Sequence, residues 1–152
     1  LVSADRTRII GHLSKQNPQH IELDGQEALV TLQGPHEYIS PTWYTGSGVP
    51  TWNYQAVHIY GQCRTFHDAD TLKVVVDDLT NKYEKSFQTP WQPSYKFSML
   101  EAIIGFEVTI TEIQCKYKLS QNRSLQDQEK VIEQLESKGS KILAEAMARN
   151  EL

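Results

Sequence analysis

The stretch that decides the reading is residues 34–61, GPHEYISPTWYTGSGVPTWNYQAVHIYG. It holds two of the three tryptophans, Trp43 and Trp52, and four of the seven tyrosines. Residues 53–60 alternate with a period of two: Tyr54, Ala56, His58 and Tyr60 share one face, and Asn53, Gln55, Val57 and Ile59 the other. That is a strand, and Gly61 is expected to end it. Ahead of it, residues 37–40 form a short strand stopped by Pro41, and Thr45-Gly46-Ser47-Gly48 form a loop. The rings are interleaved with Ser40, Thr51 and Asn53, which need hydrogen bonds. Amphipathic rings at strand corners suit a rigid wall for a flat ligand, or a subunit contact.

Upstream, residues 7–10 read as a short strand and residues 11–18 as a helical turn closed by Asn17-Pro18, because a residue before proline is pushed out of the helical region. His12 and Lys15 lie in that turn. His12 is either a capping or surface histidine, or a group that contacts phosphate or a ring at a helix start. Residues 28–33, ALVTLQ, form a buried strand bounded by Gly34-Pro35.

Downstream, Asp68 or Asp70 caps a helix with Leu72, Val75, Val76, Leu79 and Tyr83 at helical spacing. Residues 95–104 form a short helix and residues 106–117 a long strand, with a parity switch near Thr111 that suggests a bulge. The strand ends in KLSQNR, residues 118–123. Asp127 opens a helix broken at Gly139, and Ser140 caps a last helix with Ile142, Leu143, Ala146 and Met147 inward. These C-terminal helices cover about residues 127–150.

A chain of 152 residues reads as one domain, residues 1–152. It can bury roughly 70% of its unfolded surface, enough for a core without staples. No run approaches a membrane-spanning length, and no secretory leader is visible. Cys63 and Cys115 have no ligand spacing and read as reduced thiols of a cytoplasmic protein, with a disulfide or redox switch as the alternative. The net charge of −4, with dispersed cations, does not support direct DNA binding, which rests largely on neutralising phosphates. No nucleophile elbow, phosphate loop, dinucleotide fingerprint or metal-spaced histidine group is present, so no catalytic or metal residue is assigned.

What remains is recognition of an anion and a ring. Lys118, Ser120 and Arg123 could hold a phosphate through charge-assisted bonds. Trp43, Trp52 and Tyr54 could pack on a planar heterocycle whose polar edge Asn53 or Gln121 would read. On the residues alone, KLSQNR reads first as a solvated strand end with helix-capping polar groups.

The segments GHLSKQNPQ, GPHEYISPTWY, VPTWNYQAVHIYG, AIIGFEVTI and KLSQNR, in that order, closely resemble the PaiB family. Members of that family are described as FMN-binding negative transcriptional regulators of the protease-synthase and sporulation type. The resemblance implies a mainly β fold with flanking helices, a split β-barrel like that of pyridoxamine-phosphate oxidases. It also implies a homodimer with flavin at the subunit interface. On that pattern Asn53 and Tyr54 would meet the flavin, Lys118 and Arg123 would lie near it, and His12 and Lys15 would sit on the phosphate side. The family extends further at the N-terminus, so an N-terminal part of the barrel is expected to be missing. The expected role is a cytoplasmic regulator sensing FMN or a related planar phosphate ligand; the alternative is a flavin- or haem-using oxidoreductase on the same barrel.

Overall fold

The computed structural model describes residues 1–149. Four strands, β1 (Arg8–Ser14), β2 (Glu27–Ile39), β3 (Thr51–Phe66) and β4 (Ile103–Lys118), hydrogen-bond in the order β1-β4-β3-β2. Four helices accompany them: α1 (Ala69–Glu84), α2 (Phe97–Glu101), α3 (Leu125–Ser137) and α4 (Lys141–Ala148). The expected mainly β fold with flanking helices is therefore present. The chain divides into two compact units, residues 1–30 with 59–112, and residues 31–58 with 113 onward. Strands β2, β3 and β4 contribute residues to both. Among the described residues, no helix is long and apolar enough to cross a membrane.

In the first unit β1 runs antiparallel to β4, Arg8 opposite Thr109 and Ser14 opposite Ile103. Residues 11–14 are thus strand, correcting the helical turn expected there. Only Pro18–Ile21 winds into a 3-10 turn, capped by the Asn17 side chain, which accepts from the Gln19 amide at 3.0 Å. The local Asn-Pro signal was sound, but the residues before it find a sheet partner far along the chain. Gly61 does not end β3. A Cβ there would lie 2.2 Å from the Thr109 carbonyl oxygen, so the glycine marks close backbone approach in a strand that continues to Phe66.

Asp68 caps α1, accepting from the Thr71 amide at 2.8 Å. Leu72 and Val75 are buried, while Tyr83, expected on the same inward stripe, is 62% exposed. Ile103 and Ile104 begin β4 rather than ending a helix, leaving α2 with five residues. Ile59, Cys63, Leu72, Val75, Leu100, Ile104 and Val108 are buried in this unit, each side chain contributing about 1.5–3 kcal/mol where large and aliphatic. Burial pushes the Cys63 thiol pKa up, away from reactive thiolate; Cys115 is exposed, and both are unbridged.

The second unit has its own core: Ile39, Tyr44, Leu119, Val131, Leu135, Leu143, Ala144 and Met147. β2 runs unbroken through Gly34-Pro35, where two strands were expected. As the outermost strand in the order it can hold a proline without losing a ladder bond on its free side. α3 opens at Leu125, ahead of the expected Asp127, and Ser124 caps it, its hydroxyl accepting from the Asp127 amide at 3.2 Å. Gly139 breaks the helix with φ +85°, and Ser140 precedes α4. Leu143 and Met147 point inward as expected, but Ile142 is 72% exposed.

Candidate functional site

The KLSQNR segment closes the second unit's core. Leu119 is 2% exposed, so the chain must turn sharply after β4 to bury it. Ser120 takes the left-handed conformation, φ +63°, and the Arg123 amide donates to its carbonyl at 2.9 Å. Gln121 braces the same turn: its Oε1 accepts from the Leu119 amide at 2.7 Å and its Nε2 donates to the Tyr117 carbonyl at 2.6 Å. The strained backbone aims Ser120 Oγ at Asn53, whose Nδ2 donates to it at 2.8 Å and also lies 3.3 Å from Met147 Sδ. Asn53 is fully buried and its Oδ1 has no partner among the described residues.

Both cations of the segment are engaged by the protein. Lys118 Nζ donates to Thr51 Oγ1. The Arg123 guanidinium sits 4.1 Å from the Tyr44 ring centroid and donates to the Ser47 carbonyl at 3.4 Å. Asp127 stands beside it, its Oδ1 accepting from the amide and hydroxyl of Thr45, both at 2.7 Å. Those bonds, the backbone one foremost, hold the Asp127 carboxyl below the usual carboxylate range, with Arg123 adding a smaller pull.

The alternation of β3 separates the expected residues. Asn53 is buried, whereas Trp52 is 51% exposed and forms a ledge with His36 at 6.2 Å and Tyr38 at 6.1 Å, the latter edge-on. Tyr54 shares the parity of Trp52. The structure thus joins Asn53 to Ser120 and Lys118 to Thr51, and sets the ring pair on the other face of the strand from Asn53. His12 and Lys15 belong to the first unit. His12 Nδ1 is buried without a partner among the described residues, and the Lys15 side chain is exposed.

Beside the turn lies a groove of about 710 Å³ in the second unit. Gln121 is the one expected site residue in its wall; Gln55, Lys116, Tyr117, Ile142, Glu145 and Arg149 are the others that matter chemically. Tyr117 and Ile142 expose apolar surface, and Gln55 offers an amide. Lys116 makes no hydrogen bond or ion pair among the described residues, while Arg149 is held by Glu145 at 3.2 Å. A free ammonium, a half-exposed ring, an apolar floor and an amide fit a planar ligand bearing a phosphate, in a volume usual for such sites. Lys116-Tyr117 immediately precedes KLSQNR, and that adjacency was the available sequence signal; the contribution of α4 had none.

Residues 2–112 match the family model described as "Putative FMN-binding domain". The protease synthase and sporulation protein PAI 2 of Bacillus subtilis is 42% identical, over 94% of this chain and 73% of its own length. An uncharacterized protein of Emericella nidulans, AN0679, is 33% identical over 86% of this chain and 66% of its own. Among solved structures, the FAD and heme binding protein from Mycobacterium smegmatis superposes with a TM-score of 0.60 at 15% identity, covering 80% of this chain and 58% of that one. This chain therefore spans a little over half of that structure. At such identity the likeness shows the fold alone, and it is the split-barrel kind expected.

Proposed function

This chain belongs to the PaiB family and carries its FMN-binding type of domain, and from that premise we propose that it is a PaiB-type negative regulator that binds FMN in the second unit's groove. The observation that carries the reading is Lys116, a cation unpaired among the described residues, beside Tyr117 and Gln55 in a groove of ligand size. Lys116 would hold the phosphate, with Arg149 available if it leaves Glu145. Tyr117 and Ile142 would pack against the ring, and Gln55 would meet its polar edge. FMN, when bound, supplies reversible electron-accepting chemistry; the residues here bind and orient it.

Asn53, Ser120, Gln121, Lys118 and Arg123 act one step back in this reading. They fix the turn from which Lys116 and Tyr117 project, since most of their polar groups, the Asn53 Oδ1 apart, already bond within the protein. The role of ligand sensor follows if flavin occupancy alters a contact with another molecule. A second copy of the chain is the partner we infer. The exposed Trp52, Tyr38 and Leu32 supply amphipathic and apolar surface of the sort enriched at subunit contacts. Transcriptional control would then run through that dimer or a further partner, because the chain's charge of −4 gives little attraction for DNA. Titration with FMN, on the protein and on Lys116→Ala, tests the assignment.

A further inference from the structure

A second cavity, of about 440 Å³, lies in the first unit between α1 and the strands that carry Arg8, Arg64 and Glu107. Its apolar wall is Ile10, Phe66, Val74 and Val75, of which Val74 is 59% exposed. Thr71, Val74, Val75 and Asp78 fall at i, i+3, i+4 and i+7, one continuous face of α1.

Most polar groups of this cavity are already spent. Arg8 Nη1 pairs with Glu107 Oε2 at 2.8 Å. The Thr65 amide and hydroxyl donate to Asp24, and the Thr71 amide and hydroxyl to Asp68. Two groups of opposite charge are left. Neither Arg64 nor Asp78 makes a hydrogen bond or ion pair among the described residues, and the charge of Arg64 reaches Asp24 only as a distant pull on a carboxylate that Thr65 already holds.

A cavity with one spare guanidinium, one spare carboxylate and an apolar wall is complementary to a zwitterion with an apolar body. We propose that it binds a free apolar amino acid or an uncapped apolar dipeptide. The ligand carboxylate meets the Arg64 fork, its ammonium meets Asp78, and its side chain covers Val74 and Phe66. A simple apolar acid would leave Asp78 without a counter-charge, and a simple amine would leave Arg64 without one, so the charge pattern selects for both ends together. The volume lies within the usual range for small-ligand sites. This proposal goes beyond the flavin reading, uses different residues, and stands or falls separately.

Calorimetric titration of the full chain with L-phenylalanine and with Leu-Leu dipeptide tests it. Saturable binding of either, lost when N-acetyl-phenylalanine amide replaces it, is expected. Arg64→Gln and Asp78→Asn should each weaken binding about tenfold or more while leaving the melting profile and FMN affinity unchanged. Absence of saturation up to on the order of 10 mM would overturn the proposal. So would equal binding of the capped analogue, or unchanged affinity in both variants.

Discussion

Asn53, at the start of β3, donates its amide hydrogen to the hydroxyl of Ser120, 67 residues later, at 2.8 Å, and neither side chain is open to solvent. That bond couples the strand most evident in the sequence to the segment that closes the second unit. Its acceptor is held in a backbone conformation that side chains other than glycine rarely adopt.

Removing the hydroxyl leaves Asn53 Nδ2 buried with only the Met147 sulfur, which should cost about 1–3 kcal/mol. Ser120→Ala keeps the strained φ and loses the bond, whereas Ser120→Gly loses the bond but relieves roughly 1 kcal/mol of strain. Urea unfolding should therefore rank wild type above Ser120→Gly, and Ser120→Gly above Ser120→Ala. The reverse order of the two variants would mean that the turn is not strained.

Asp127 predicts an acid limb. Its pKa is lowered in the folded state, so its contribution is complete above the unfolded carboxylate value, about 3.9, and is lost as pH falls through the lower folded value. Asp127→Asn should be less stable than wild type at neutral pH, with the gap closing as the pH drops through that window. Urea midpoints measured between neutral and strongly acid pH check this; a constant gap would contradict it.

Two glycines separate close approach from mere loop freedom. Gly61→Ala would place a methyl 2.2 Å from the Thr109 carbonyl oxygen and should cost about 1–3 kcal/mol or more. Gly46→Ala meets nothing within 4 Å and has no left-handed φ, so it should be neutral or stabilising by about 0.4–1 kcal/mol. Thermal melts of the two variants give the comparison.

Arg123→Ala removes the cation stacked on Tyr44 and should lower stability by about 0.5–1 kcal/mol. Since Arg123 is spent inside the unit, FMN affinity should change less than twofold. A large loss of FMN binding with unchanged stability would return Arg123 to direct phosphate contact.

The parity of β3 was legible because Asn53 and Ile59 obey a local period, and both prove buried. The C-terminal helices were legible from Leu143, Met147 and the break at Gly139, although four residues of pattern could not fix the phase that leaves Ile142 outside. What failed was punctuation. Gly61, Gly34-Pro35 and residues 11–14 carry local signals for breaks or turns, and each is overruled by a strand partner distant in sequence. The site suffered the same way. KLSQNR announced polar chemistry, but only the fold shows that Ser120 is taken by Asn53, Arg123 by Tyr44 and Lys118 by Thr51, which moves attention to Lys116. The Thr45–Asp127 lock spans 82 residues and had no sequence signature.

Binding of FMN by this PaiB-family chain through the groove beside β4 is tested most directly by quenching of FMN fluorescence on titration with wild type and Lys116→Ala. Saturable quenching by wild type, weakened about tenfold by the substitution, is predicted, as expected for loss of one charge-assisted phosphate contact. No quenching at protein concentrations up to on the order of 100 μM, or equal affinity in the two proteins, would contradict it.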